Sequence, residues 1–334
     1  SGASTLFNAA QLRQYAPLAF LVVMVVLISA YSPGFASVNT GLVLLADTMA
    51  LFTLAAGLSF VIVIGGIDLS LPAVASLASV VTAMLLPEVG LLAFPVALLC
   101  GVGAGLFSGL VHVRLKIPSF IATLATGGVV SGIALYISKA RSIGISAADR
   151  PMLSWIAGTT LGVPNIILIG LLMCLIGIYI QRYTRFGRYC YAIGAGEPAA
   201  IAAGIHVDRQ KVYAFVLSAL FAAVAGVMLA ARMTSGSPTG ASQLLLPAIA
   251  AVLVGGTPIT GGLGGVGRTL VGALIVSVVR IWYDICRHRH LRPANRFWRC
   301  AHSNRRRHHG SRQYPHRKIG SLAAVSQELL WICN

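Results

Sequence analysis

Long runs of apolar residues, separated by short polar or glycine-rich stretches, dominate this sequence. A membrane-spanning helix needs about 20 apolar residues. The runs are continuous and do not alternate with polar positions, which favours helices over the strands of a membrane barrel. Nine candidate stretches lie at residues 16–36, 41–65, 69–87, 89–112, 118–138, 163–181, 212–232, 244–256 and 269–281. The pattern predicts an all-α, polytopic membrane protein with about nine transmembrane or re-entrant helices, the last two being short enough to be broken or re-entrant.

Composition agrees with a membrane protein. Of the 334 residues, 57% are hydrophobic and 10% are charged, whereas soluble domains average about 25% charged residues. The formal net charge of +17 would usually suggest nucleic acid, but residues 282–334 alone carry a net charge of +9. The remaining positive charge is spread over short loops. We therefore expect membrane lipid around this chain and no nucleic-acid partner.

The distribution of Lys and Arg predicts the orientation, because cytoplasmic loops carry an excess of both. With the N-terminus in the cytoplasm, the loops 112–117, 182–211 and 257–268 fall inside, and with Arg13 they hold nine positive residues. The outer side then holds at most Lys139, Arg141, Arg150, Arg232 and Arg280. We expect a cytoplasmic N-terminus, with the first apolar stretch retained as a span and not removed as a signal peptide.

The loop 182–211 is the longest on the predicted inner side. Gly196 precedes Glu197 and Pro198, and a carboxylate with a proline is typical of the first turn of a helix. Alanine-rich residues follow, and Gly204 can end the helix. The sequence predicts a short helix between two spans, which is either an ordinary connector or a docking helix for a cytoplasmic partner.

Four ordered stretches resemble the ribose-type permeases of ABC importers, in the superfamily that transports branched-chain amino acids and monosaccharides. They are GGIDLS at 65–70, IPSFIATLA at 117–125, TRFGRYCYAIG at 184–194 and AIAAVLVGG at 248–256. The glycine-rich run 261–272 continues the last stretch, and the resemblance covers residues 15–281. It implies a permease of the bacterial inner membrane that pairs with a second permease subunit, identical or related. A periplasmic sugar-binding protein and a cytoplasmic ATP-binding subunit would complete the importer.

The resemblance also implies where this chain would meet the ATPase. The segment from Glu197 to Gly204 resembles the coupling helix of the family, which sits in a groove of the ATP-binding subunit. The residues expected to carry the coupling are Glu197, Ala199, Ala200 and Gly204. Arg185 and Arg188 either support that contact or only anchor the loop. The chain has no GxxxxGK[ST] motif, so ATP and Mg²⁺ would be bound by the partner. We expect a transporter subunit with no cofactor, catalytic residue or metal site of its own.

Two acidic residues in the apolar region are candidates for the transport pathway. Asp47 lies inside the second stretch, where an ionisable group is costly and usually functional. It could bind sugar hydroxyls. Asp68 lies at the boundary of two stretches beside Ser70, and a loop or helix-capping carboxylate is the favoured interpretation there.

The sequence favours two other functions, and two motifs in it, less than the permease interpretation. An ion-coupled secondary transporter of a small polar solute would need intramembrane acids, of which Asp47 is the main one; inverted repeats, also expected of that class, are not clear in this sequence. A membrane-embedded enzyme lacks a cluster of catalytic residues. The run from Gly262 to Gly267 fits GxGxxG, but its apolar neighbours favour a turn between broken helices over a dinucleotide site. The pairs Cys286/His288 and Cys300/His302 have a spacing that suits zinc poorly.

Residues 282–334 break the pattern of the rest. They are rich in Arg, His and Cys where the family pattern would continue with a final apolar span. Our hypothesis is a one-nucleotide insertion, since one permitted back-translation of this region restores an apolar segment when a single T is removed. We therefore expect a permease domain at 1–281 and an aberrant, disordered basic tail at 282–334, with the last helix of the family lost. Without that helix, insertion or dimer packing should suffer. The sugar is not identified by the sequence.

Overall fold

The computed structural model describes the backbone of residues 2–31, 35 and 37–291, and the side chains of residues 16–31, 35 and 37–283. Helices make up most of this part of the chain. They are α1 Gly2–Tyr31, α2 Val38–Val63, α3 Leu71–Val89, α4 Ala93–Leu115, α5 Ser119–Ile137, α6 Ser154–Ala157, α7 Asn165–Tyr183, α8 Arg185–Ala195, α9 Glu197–Ala202, α10 Val207–Met233, α11 Leu245–Val254 and α12 Val266–Leu291. The predicted all-α class is confirmed.

Strands are limited, in the described residues, to two-residue pairs in the loops. Strand β1 (Ile143–Gly144) pairs antiparallel with β4 (Ser235–Gly236), and β2 (Thr159–Thr160) pairs antiparallel with β3 (Val163–Pro164). Three-residue to four-residue 3₁₀ turns lie at Gly90–Leu92, Arg150–Leu153 and Ser242–Leu244. The strand pairs close loops and form no layer of their own.

Each of the nine predicted apolar stretches coincides with a helix. Six described segments are long and apolar enough to cross a membrane, and one of them, Leu71–Leu115, comprises both α3 and α4. A straight helix of those 45 residues would be about 67 Å long against a hydrocarbon core of about 30 Å. The turn at Gly90–Leu92, where Gly90 has φ +60°, divides it into an antiparallel hairpin. The shorter apolar helices are Ala16–Tyr31 and Ser242–Val254. The number of crossings stays a prediction.

Helix α10 is the centre of the bundle and packs against α2, α3 and α4. Small residues bring these helices close together, as expected for packing in lipid. A Cβ atom on Gly101 of α4 would lie 2.6 Å from the Cβ of Ala223, and one on Gly105 would lie 2.6 Å from the carbonyl oxygen of Phe215. Glycine at these two positions therefore sets the spacing between α4 and α10.

Two non-helical segments lie within the bundle: residues 66–70 are extended, and residues 235–241 form strand β4 followed by a turn. Residues 66–70 run along α5, where the amides of Ile67 and Leu69 donate to the hydroxyls of Ser119 and Thr123, each at 3.0 Å. Residues 235–241 run along α3 in the same way. Side-chain hydroxyls thus replace the backbone hydrogen bonds that a helix would have made, as irregular backbone inside a membrane protein requires.

The end of the apolar region differs from the prediction. The eighth stretch is a short helix, α11, as expected. The ninth, 269–281, is part of the longer helix α12, which runs from Val266 to Leu291. Residues 282–291 contain neither Gly nor Pro, so loss of apolar character does not end the helix. The first ten residues of the predicted tail are therefore helical. The disorder predicted for the remainder and the Cys300/His302 pair lie outside the described residues, and the domain boundary at 281 stays a prediction.

Candidate functional site

Two short helices, α8 and α9, connect α7 to α10 and form the surface where a partner was predicted. Thr184 caps α8, because its side-chain oxygen accepts a hydrogen bond from the amide of Gly187 at 3.2 Å. Helix α8 lies within the predicted loop 182–211, where the sequence predicted only the shorter helix after it. The apolar positions of α8, Phe186, Cys190 and Ile193, lie on one face of a helix, and this spacing was the overlooked indication.

Helix α9 has the bounds that the sequence predicted. It begins at Glu197 with Pro198 in its first turn, and Gly204 follows it with φ +80°. Ala200 is 3% exposed, whereas Ala199 and Ile201 face outward. One face of α9 is therefore packed on the protein, and the other presents small and apolar side chains at the surface.

The buried face of α9 belongs to a hydrophobic cluster, which we call the α9 cluster. Its members come from α2 and its end, α8, α9 and α10: Val61, Val63, Ile64, Cys190, Ile193, Ala200, Val207, Ala214 and Phe215. Burial raises the pKa of the Cys190 thiol to about 12, so this cysteine stays protonated and packs as an apolar group. Displacement of α9 must therefore disturb α2 and α10.

An ion pair also ties α9 to α10. The Nζ of Lys211 lies 2.8 Å from both carboxylate oxygens of Glu197. The two side chains are 16% and 45% exposed, respectively, and exposed pairs of this kind contribute at most about 1 kcal/mol. Glu197, one of the residues predicted to carry the coupling, thus has a partner within the chain. Arg185 and Arg188 lie one turn apart on α8 and are both exposed, which agrees with either of their predicted roles.

Asp68 lies in the extended segment 66–70 and is 1% exposed. Its Oδ1 accepts hydrogen bonds from the amide of Ser70 at 3.0 Å and from the Ser70 hydroxyl at 2.6 Å, and its Oδ2 accepts one from Ser218 of α10 at 3.0 Å. Burial raises the pKa of Asp68, although the hydrogen bonds from Ser70 and Ser218 lower it in part. The favoured interpretation, a loop carboxylate beside Ser70, matches this geometry. The contact with α10 was not foreseen.

Asp47 lies in α2 and forms an ion pair with Arg232 in the last turn of α10. The side chains are 46% and 35% exposed, respectively. Asp47 and the end of α2 at Val63 are 16 residues apart, which is about 24 Å along a helix. The two acidic candidates are therefore not brought together. They lie toward opposite ends of α2, and each contacts α10.

The glycine-rich run forms the turn between α11 and α12. Gly261, Gly262, Gly264 and Gly265 all have positive φ, and the preceding element is helix α11, not the strand that a dinucleotide-binding motif follows. This agrees with the predicted turn between helices.

Comparison with known proteins fixes the family. Residues 41–288 match the model of the family described as branched-chain amino acid transport system / permease component. The chain belongs to this permease family. It is 38% identical over 261 residues to the ribose import permease protein RbsC of Haemophilus influenzae, covering 77% of this chain and 81% of the relative.

Two further relatives agree. RbsC of Escherichia coli strain K12 is 33% identical over 275 residues, covering 81% of this chain and 86% of the relative. The L-arabinose transport system permease protein AraH of the same strain is 36% identical over 275 residues, covering 80% and 81%. Membership of this family makes the chain an ABC transporter permease, a multi-pass membrane protein of the transporter class, and disfavours the ion-coupled alternative.

Proposed function

We propose that this permease is the membrane-spanning subunit of an importer for a monosaccharide, and in particular for a pentose. It would lie in the bacterial inner membrane with its N-terminus in the cytoplasm. The names of the relatives support the substrate class, since ribose and L-arabinose are both pentoses. The distribution of Lys and Arg supports the orientation. No chemistry is done on the sugar, and ATP with Mg²⁺ binds the partner subunit.

The observation that carries the proposal is the surface of α9. Its outward face presents the small side chain of Ala199 and the apolar side chain of Ile201, and its inward face is packed on the protein through Ala200. A helix that is packed on one side and exposes small and apolar side chains on the other suits insertion into a groove of a partner protein. In this proposal, closure of the ATP-binding subunits displaces α9.

That displacement would reach the spans through two connections. The α9 cluster joins α9 to α2 and α10, and the ion pair of Glu197 with Lys211 joins it to α10 a second time. Helix α10 in turn contacts the segment 66–70, which precedes α3, through the hydrogen bond of Ser218 to Asp68. A movement of α10 against its neighbours would open the pathway alternately to either side, as a two-state element biased by ATP and sugar.

The complete importer would contain a second permease subunit, a pair of ATP-binding subunits and a periplasmic binding protein that delivers the sugar. Which sugar is chosen would depend mostly on that binding protein. The pathway roles of Asp47 and Asp68 stay predictions, which the uptake of their asparagine variants tests.

The deciding experiment measures uptake of radiolabelled ribose and L-arabinose in cells whose own pentose permeases are deleted, with the partner subunits supplied. The variant Ala199→Tyr should abolish uptake and sugar-stimulated ATPase activity by filling the contact face of α9. Its matched control is Ala147→Tyr, another exposed alanine, in the loop between β1 and α6. Uptake that survives inactivation of the ATP-binding subunit would refute the proposal, and uptake unaffected by Ala199→Tyr would refute the docking role.

A further inference from the structure

A cavity of about 570 Å³ opens where α1, α7, α8 and α12 meet the glycine-rich turn. Its size is typical of a ligand site. The polar part of its lining comes from Gln181, Arg182, Tyr191 and Arg268, and no acidic side chain is among the residues that line it. Two guanidinium groups without a lining carboxylate give this cavity a positive potential that favours an anion.

Gln181, which lines this cavity, carries a buried donor that the surrounding side chains leave unpaired. The side chain is 5% exposed, and its Oε1 accepts a hydrogen bond from the amide of Val266 at 2.8 Å. Because the backbone amide of Val266 can only donate, the atom of Gln181 that it contacts must be the oxygen Oε1, and the other terminal atom is the nitrogen Nε2. This Nε2 is buried and has no hydrogen-bond partner among the described residues. A buried donor left unpaired is costly, and an acceptor on a molecule in the cavity would satisfy it.

Arg182, Arg268 and Tyr191 line the same cavity. Burial raises the pKa of Tyr191, while the charges of Arg182 and Arg268 each lower it. The phenol hydroxyl of Tyr191 donates a hydrogen bond to the carbonyl oxygen of Gly264 at 2.8 Å. Helix α12 begins beside them at Val266, and the positive end of its dipole adds to the attraction for an anion.

The remaining wall of the cavity is apolar and continues onto exposed apolar side chains of α1 and α7. Leu18 of α1, Ile178 of α7 and Val271 of α12 line it, and Leu175, one turn before Ile178 along the same helix, is 65% exposed. A free anion would gain nothing from such a wall, whereas an acyl chain would. Basic pockets between spans on the cytoplasmic side are typical sites for anionic headgroups.

We propose that this cavity binds the phosphate headgroup of an anionic phospholipid of the inner leaflet. Arg182, Arg268 and the Nε2 of Gln181 would be the donors to the phosphate oxygens, and the acyl chain would lie along α1, α7 and α12. The choice of leaflet rests on the orientation in the proposed function. Lipid binding itself requires neither sugar nor ATPase.

Native mass spectrometry of the full chain, titrated with phosphatidylglycerol or phosphatidylcholine in detergent, tests the proposal. We expect a preference for phosphatidylglycerol that falls about fivefold in Arg182→Ala or Arg268→Ala and about 25-fold in the double variant. The control is Arg114→Ala, which removes an exposed arginine from the last turn of α4, outside the cavity. A preference that is absent in the native chain, or that falls equally in the control, overturns the proposal.

A nearly isosteric variant distinguishes a loss of lipid binding from a loss of folding. Gln181→Glu keeps the acceptor for Val266 but places a negative charge beside both arginines, and it should abolish the preference while the unfolding temperature is retained. Two other occupants are distinguished by further arms. Displacement of the lipid by millimolar inorganic phosphate would indicate a small-anion site. Loss of ATP-binding-subunit assembly in purely neutral lipid, on removal of both arginines, would indicate a protein interface. Either result overturns the lipid assignment, while sugar uptake reports separately on the proposed function.

Discussion

The two non-helical segments inside the bundle, 66–70 and 235–241, hold their backbone amides with different groups. Residues 66–70 precede α3, and residues 235–241 precede α11. Both leave backbone amides without helical partners, and in both a neighbouring helix supplies Ser or Thr hydroxyls. The first segment, however, also carries a buried carboxylate, Asp68, which collects three hydrogen bonds. The second has no acid and relies on Ser76, Ser79 and the pairing of β4 with β1.

The difference predicts which substitutions should release each segment from the helices that hold it. Anchoring of the first segment to α10 is concentrated in a single side chain, because Ser218 reaches it only through Asp68. Anchoring of the second is distributed over two hydroxyls and a strand pair. We therefore expect one substitution to release the first segment from α10, although Ser119 and Thr123 still hold it to α5, and no single hydroxyl to release the second.

The largest effect is expected from Asp68→Ala. It leaves the amide and hydroxyl of Ser70 and the hydroxyl of Ser218 without their acceptor in a buried place. Each buried group left unpaired costs about 1–3 kcal/mol, so we expect a loss of about 3 kcal/mol or more in the free energy of unfolding. Thermal unfolding in detergent measures the loss, and hydrogen exchange of the amides at 66–70 locates it.

Asp68→Asn is the matched control and carries a pH test. It keeps the shape and one acceptor, and should cost less than half as much. Because burial raises the folded pKa of Asp68 above its ordinary value of 3.8, the folded state binds the proton more tightly than the unfolded state. Stability should then fall as pH rises from about 4 through the folded pKa, and Asp68→Asn should lack this slope. Equal stability of the native chain and Asp68→Ala would show that the carboxylate anchors nothing.

A smaller effect is expected in the second segment. Ser76 accepts a hydrogen bond from the amide of Ala241 at 3.1 Å, and Ser79 both accepts from and donates to the backbone of Ser237, at 3.3 and 3.2 Å. The double variant Ser76→Ala/Ser79→Ala should cost about 2 kcal/mol, and each single variant about half. Thr82→Ala is the control, because the Thr82 hydroxyl bonds only its own helix, at Ala78. A single variant as damaging as Asp68→Ala would remove the distinction between the two segments.

The sequence predicted the two segments unequally for a physical reason. The boundary at Asp68 was visible because an acid beside Ser70 interrupts an apolar run. Residues 235–241 gave no such indication, since the hydroxyls that hold them lie about 160 residues away on α3. Local pattern predicts helices that lipid requires, but it contains nothing about partners that only the fold brings near.

The same limit applies at the candidate site. Helix α9 was predictable because Glu197 and Pro198 are typical of the first turn of a helix and Gly204 is typical of the position after its end. Its ion pair with Lys211 and the packing of Ala200 depend on the return of α10 and were not predictable. Asp47 was visible in the sequence as a charge within an apolar run, yet its partner Arg232 lies 185 residues further along the chain.

The pair of Asp47 with Arg232 gives the smallest expected effect and sharpens the comparison. Like Asp68, Asp47 is an acid that contacts α10, but the side chains of this pair are 46% and 35% exposed. Because Arg232 lies in the last turn of α10, at the end of its span, we expect water to reach this pair, and pairs exposed to water contribute at most about 1 kcal/mol. Asp47→Asn and Arg232→Gln should therefore each lower stability by no more than that, and their double variant by no more than either single one.

Uptake separates the pairing from a role in the pathway. If Asp47 only neutralises Arg232, both single variants should affect uptake to the same small extent, and the exchange of Asp47→Arg with Arg232→Asp should restore what either loses. If the carboxylate binds sugar hydroxyls, Asp47→Asn alone should raise the KM for the sugar, Arg232→Gln should not, and the exchange should restore nothing. We expect the first pattern, because a carboxylate already bound to a guanidinium has fewer acceptor positions left for a sugar.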